Sequence, residues 1–151
     1  MIAISIVAKT KGVAYIVTEN GQLLDWGVKR FKGGLSLERI LGYLLSLIYL
    51  GDIELVILPE FDEDKGTEAS VFLGRLLDAI NQRKLSRRFI SKLDIDINFG
   101  ELNRYAIAER LAAEHPPLKA YLPSEKKLWE AESADMVLFD AAALLSTARM
   151  I

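Results

Sequence analysis

Apolar residues crowd the first positions of the chain, where Ile2, Ala3, Ile4, Ile6, Val7 and Ala8 are interrupted only by Ser5. A dense apolar run without polar alternation predicts a central strand covered on both faces. A second strand is expected from Val13 to Thr18, after the Lys11-Gly12 break, and a third from about Leu23 to Arg30. Asn20-Gly21 between them is the strongest hairpin signal, because both residues tolerate positive φ. Gly33-Gly34 is expected to end this meander and Ser36 to cap a helix. Leu37, Ile40, Leu41, Leu44, Leu45 and Ile48 then recur at helical spacing until Gly51. Ile53 to Leu58 returns to the buried-strand pattern and stops at Pro59. Thr67 or Ser70 starts another helix, with Val71, Leu73, Leu76, Leu77 and Ile80 inward.

Beyond a basic stretch, Ile95 to Phe99 reads as a strand and Tyr105 to Ala113 as a helix stopped by Pro116-Pro117. Tyr121-Leu122 is expected as a short extended piece, and Ala131 to about Ala148 as a closing Ala/Leu-rich helix. A meander followed by alternating helix and strand predicts an α/β fold, a mixed sheet flanked by helices. In it, Ile53–Leu58 should lie parallel beside Ile2–Val7.

The 151 residues suit one domain, 1–151, with 51% hydrophobic and 26% charged positions. The absence of cysteine excludes disulfides, thiolate zinc sites and a cysteine nucleophile, and it fits a reducing compartment. Met1 to Lys11 carries no charged leader before its apolar run, and Ile40 to Leu50 is too short and too interrupted to span a bilayer. A cytoplasmic protein is expected. A formal charge of −2 gives no global pull towards nucleic acid, so any basic binding face is local.

Such local clusters exist. Arg83, Lys84, Arg87, Arg88 and Lys92 fall in one decapeptide, interleaved with Leu85, Phe89 and Ile90. Lys29, Arg30 and Lys32 form a second cluster, and Lys9 with Lys11 a third. Clustered bases with an aromatic among them can track phosphates, although solvated helix and loop faces have the same composition. Glu60, Asp62, Glu63 and Asp64 follow a strand as an acidic cluster without metal-ligand spacing. Glu132 and Asp135, three apart on one expected helical face, suit a helix N-terminus whatever else they do. Asp140, among Phe139 and Ala141 to Ala143, is either a buried hydrogen-bonded residue or a further carboxylate of a site. His115, the only histidine, stands at a helix end where a cationic ring suits the dipole. Trp26 and Trp129 read as core or interface residues. Neither a P-loop nor GxGxxG occurs.

Taken in order, these segments resemble the RuvC-type Holliday-junction resolvases of the ribonuclease H-like superfamily. Ile2 to Val7, with Ala14-Tyr15 in the second strand, matches the family's opening. Val56-Ile57-Leu58-Pro59-Glu60-Phe61, followed by Glu68 to Gly74, matches its central strand and helix. Glu132-Ser133-Ala134-Asp135 before Met136-Val137-Leu138 matches its closing acidic pair. The resemblance implies a mixed ribonuclease H-like sheet, a homodimer and branched DNA as partner. It also implies carboxylates at strand ends holding divalent cations that activate water.

Against that pattern Val7 stands where the first strand carries Asp, and Pro59 where the central strand carries Glu. Glu60 recovers the latter only with a one-residue shift, which turns a side chain to the other face. The resemblance therefore implies a catalytically degenerate nuclease homologue that binds nucleic acid through Lys9, Lys11, Arg83, Lys84, Arg87, Arg88 and Lys92, and needs no cofactor. The alternative is an active, magnesium- or manganese-dependent, structure-selective endonuclease using Glu60, Glu132, Asp135 and Asp140. Glu132 and Asp135 alone would hold one metal weakly. A second alternative is a protein-interaction or oligomerisation scaffold.

Overall fold

A computed structural model describes residues 1–31 and 37–151; the expected Gly33-Gly34 end of the meander and the Ser36 cap lie outside the described residues. The opening apolar run forms β1 (Ile2–Lys9), followed by β2 (Gly12–Glu19) and β3 (Gln22–Arg30). Asn20 and Gly21, both at positive φ, make the turn between β2 and β3. Next come α1 (Leu37–Leu50), β4 (Leu55–Pro59), α2 (Glu68–Gln82) and β5 (Ser86–Ile90). Then α3 (Lys92–Phe99), α4 (Arg104–Glu114) and α5 (Met136–Thr147) close the chain. The sheet order is β3-β2-β1-β4-β5, with β1 antiparallel to β2 and parallel to β4. Ala3 pairs beside Leu55, so β4 neighbours β1 as expected.

Alternation along β1 divides the core. Ile4, Ile6 and Ala8 pack with α1 and α2, while Ala3 and Val7 pack with α5 on the other face. Ser5, fully buried on the α5 side, donates its hydroxyl to the Ala141 carbonyl at 2.9 Å. Together with Ala141 and Ala142, whose side chains are small, this lets α5 lie close over the centre of the sheet. Among the described residues no helix is long and apolar enough to cross a membrane.

Five expectations are corrected. Ile95 to Phe99 is helical, not a strand, and the fifth strand is Ser86–Ile90 inside the basic stretch. The alternating Ile95, Ile97 and Phe99 mislead because Ile95 and Phe99 also stand four apart, one helical turn; both face the core while Ile97 is exposed. The start of α3 is fixed by a capping box. The Ser91 hydroxyl accepts from the Asp94 N–H at 3.0 Å, and the Asp94 carboxylate accepts from the Ser91 N–H at 3.0 Å. Tyr121 lies in a short 3-10 helix, Pro116–Tyr121, rather than an extended piece. The last helix begins at Met136, not Ala131, because the Ser133 hydroxyl accepts from the Asp135 N–H at 3.3 Å and competes with helix formation. Glu132 and Asp135 therefore do not share a helical face. Trp129 is no core residue, being 79% exposed, whereas Trp26 packs against the α5-side core.

The Ser91 N–H, aided by the Ser91 hydroxyl and by Arg88, holds the Asp94 carboxyl below its ordinary range. A lowered carboxylate pKa stabilises the cap above the unfolded-state value, and that gain is lost as pH falls through the folded-state value. A carbon-detected NMR titration should place the Asp94 midpoint below that of an ordinary aspartate. A midpoint at the ordinary value would contradict the cap.

Candidate functional site

The parallel strands β1 and β4 end side by side, and α5 crosses above them. Between them lies a cleft of about 710 Å³, whose lining includes Val7, Lys9, Pro59, Lys92, Arg104 and Asp140. Clefts at the carboxyl ends of parallel strands are where open α/β sheets place ligands. Val7 belongs to the α5-side core, so the strand position nearest the cleft floor carries a methyl-tipped side chain and no charge. Pro59, the last residue of β4, adds none either.

Charged side chains reach the cleft from Lys9 of β1, from Glu60, from Lys92 and Asp96 of α3 with Glu101 after it, and from Arg104 and Asp140. The ion-paired ones belong to α4, α5 and the segment between them. Arg104 is the first residue of α4, capped by the Asn103 side chain, which accepts from the Ala106 N–H at 2.8 Å. A cation in the first turn of a helix opposes the helix dipole, and two carboxylates offset that penalty here. The Arg104 Nε–H donates to Asp140 Oδ1 at 2.9 Å, and its terminal nitrogens reach Asp140 Oδ2 and Glu132 Oε2. Burial pushes the Asp140 carboxyl upward, with the like charge of Glu132 in the same direction, while Arg104 and Lys9 pull against it. Burial also works against the charged guanidinium, but Asp140 and Glu132 outweigh it and hold Arg104 above its ordinary value. A guanidinium does not deprotonate in proteins, so Asp140 faces a permanent cation. Lys11 Nζ donates to the Glu132 carbonyl at 2.6 Å, and Arg30 pairs with Asp135 at 3.8 Å.

Of the four carboxylates expected to converge, Glu132 and Asp140 meet on one guanidinium, while Asp135 turns to Arg30. Glu60 is exposed, rims the cleft, and donates its backbone N–H to the Ile90 carbonyl at 3.0 Å. Among the described residues no group of three or more His, Asp or Glu side chains is placed to hold a metal ion. A pair of divalent cations needs several converging anionic oxygens. Of the expected donors, Glu132 and Asp140 are engaged by Arg104 and Asp135 by Arg30. No local sequence pattern marks Arg104. The available signal was indirect: Asp140 in an apolar helix demands a buried partner.

The basic decapeptide does not form one surface. Lys92, at the start of α3, lines the cleft. Arg83 and Lys84 lie at the opposite end of the sheet, because β5 runs parallel to β4 and Ser86 pairs beside Leu55, itself beside Ala3. That end is about 20 Å from Lys9 at the usual rise per strand residue. Arg83 stacks over the Tyr49 ring at 4.1 Å. Arg87 and Arg88 are adjacent in β5 and so leave opposite faces of the sheet. The Arg88 guanidinium donates to the Ala148 carbonyl at 3.2 Å. Lys9 and Lys11 flank the Arg104–Glu132 pair.

No protein-family model and no curated protein sequence matches this chain. Solved structures do match over nearly its whole length. RuvC from Thermus thermophilus superposes with a TM-score of 0.67 at 16% identity, covering 99% of this chain and 96% of the other. The same protein in complex with a Holliday junction substrate gives 0.65 with the same coverage. The fowlpox virus Holliday junction resolvase gives 0.58 at 12% identity, each chain covered completely. The fold is thus the ribonuclease H-like fold of RuvC and other Holliday junction resolvases.

Proposed function

We propose that this chain is a nucleic-acid-binding member of the resolvase scaffold in which a fixed guanidinium has taken over the role of metal ions in neutralising the cleft carboxylates. The observation that carries this reading is Arg104 bridging Asp140 and Glu132 above the uncharged Val7 of β1. Three features support a polyanion as ligand. Lys9 and Lys92 line the cleft and Lys11 lies beside its Arg104–Glu132 edge, the overall shape matches a protein solved with a Holliday junction substrate, and two of the carboxylates there, Glu132 and Asp140, are paired with Arg104. Phosphates approach such a surface by displacing counterions, so affinity falls with salt. Branched DNA is the substrate class that the shape favours. Hydrolysis is not part of this function.

Two measurements on the purified protein test the reading. Fluorescence anisotropy with a labelled four-way junction should show binding that weakens with salt. Lys9→Ala and Lys92→Ala should each flatten the log–log salt slope by about one unit. Incubation of the same junction with magnesium or manganese should leave the strands intact. Efficient metal-dependent cleavage abolished by Asp140→Asn would establish the active-nuclease alternative. Absence of binding to any junction or duplex at low salt would favour the scaffold alternative.

A further inference from the structure

The segment between Pro123 and Asp135 is pinned at both ends and presents an apolar tip between them. At its start the Tyr105 hydroxyl donates to the Pro123 carbonyl at 2.8 Å. At its end Glu132 is held by Arg104 and Lys11. Tyr105 and Arg104 both belong to the first turn of α4, so the segment is anchored beside the cleft. Between the anchors, the Glu130 N–H donates to the Lys127 carbonyl at 3.0 Å, the closing bond of a β-turn. The Glu130 side chain also accepts from the Lys127 N–H at 3.4 Å.

The central residues of that turn are Leu128 and Trp129, 99% and 79% exposed. Glycine, proline, asparagine, aspartate and serine are the residues that favour such positions, and none of them stands here. Leaving a leucine and a tryptophan in water forfeits burial energy that a folded chain normally gains. Lys127 Nζ lies 5.4 Å from the Trp129 ring centre, with Lys126 beside it.

We infer that the Leu128-Trp129 turn is a wedge that stacks on unpaired bases of nucleic acid lying across the cleft. This rests on the nucleic-acid reading above and names the part of the ligand that the turn meets. An exposed aromatic tip on a closed turn, with Lys127 beside the ring and Glu130 held back on the Lys127 N–H, suits a polyanion carrying exposed flat rings, the form found where a duplex branches or opens. Base–aromatic stacking is tolerant of sequence because every base offers a π-face, and apolar wedges enter between base steps in the same way.

The experiment compares the full chain with Trp129→Ala and Trp129→Phe on three labelled ligands: a four-way junction, a single strand and an uninterrupted duplex. Trp129→Ala should weaken junction and single-strand binding on the order of tenfold, the typical cost of losing one stacked base. Duplex affinity should change little, and Trp129→Phe should restore most of the loss. Junction binding should also quench tryptophan fluorescence. If Trp129→Ala leaves all three affinities intact while Lys9→Ala lowers them, the wedge is wrong and the nucleic-acid reading stands. If the unmodified chain binds none of the three ligands, both fall. If the unmodified chain self-associates without nucleic acid and Trp129→Ala makes it monomeric, the tip meets a second copy and the wedge is overturned.

Discussion

Replacing Arg104 by leucine is expected to lower the free energy of unfolding by about 2–3 kcal/mol. The substitution strands Asp140, whose side chain is only 19% exposed, without its bidentate partner. It also leaves Glu132 facing Asp140 with nothing between them. Removing one partner of a fully buried pair costs about 3–5 kcal/mol. The lower figure applies because Arg104 is 36% exposed and water can reach part of the vacated space. Replacing Asp140 by leucine as well should recover a good part of the loss, since the stranded carboxylate becomes an apolar group and the remaining Glu132, 39% exposed, no longer faces a like charge. Urea unfolding of the two single variants and the double variant closes the cycle. Strict additivity of the two substitutions would mean that the side chains do not act on each other, and the proposed internal neutralisation would fail with it.

A larger loss, about 3–5 kcal/mol, is expected for Phe139→Ala. Phe139 precedes Asp140 on α5, is 2% exposed and belongs to the core between α5 and the sheet. Truncation removes the ring's burial and leaves a void that the close-packed sheet cannot collapse into. Part of that void borders the cleft, where Phe139 is a lining residue, so water can enter and hold the cost towards the lower end. The urea midpoint should fall without change in slope. Leu50→Ala, at a leucine 85% exposed at the end of α1, should stay within about 0.5 kcal/mol and serves as the comparison. Equal effects from the two substitutions would contradict the described burial of α5.

The two changes separate what the sequence makes plain from what it conceals. Burial of β1, β4 and α5 is written in local composition: runs of Ile, Val, Leu and Ala have no other stable place. The Asn20-Gly21 turn is equally local, because positive φ at consecutive residues selects those types. β5 is hidden for the opposite reason. It is an edge strand whose Ser86, Arg87, Arg88 and Phe89 are exposed, and edge strands carry charge to discourage pairing with other chains. The Ser91–Asp94 capping box was present as a serine three residues before an aspartate. The alternating isoleucines after it match a strand equally well, and a pattern that short fits both periods.

The site was legible in part: Lys9, Glu60, Lys92 and Asp140 stand out in the sequence and line the cleft, while their partners do not stand out. Val7 and Pro59 announce missing charge from the sequence alone, since each sits at a strand end where the resemblance expects a carboxylate. What occupies the resulting space is a matter of contacts between residues 36 apart, Arg104 and Asp140, and 28 apart, Arg104 and Glu132. No local pattern marks such a partnership. The expected helical pairing of Glu132 with Asp135 failed because each carboxylate found a different arginine from a distant element.

The buried bond from Ser5 to the Ala141 carbonyl sets the roll of the last helix about its own axis. Neighbouring residues of an α-helix point about 100° apart, so turning α5 by one residue would swing Asp140 out of the cleft and bring Phe139 or Ala141 round in its place. The hydroxyl on β1 acts as a key in a slot: its acceptor belongs to the residue next to Asp140, and a rolled helix would leave that hydroxyl unsatisfied in a dry interior. The azimuth of the cleft's aspartate is thereby fixed by an uncharged group of the central strand.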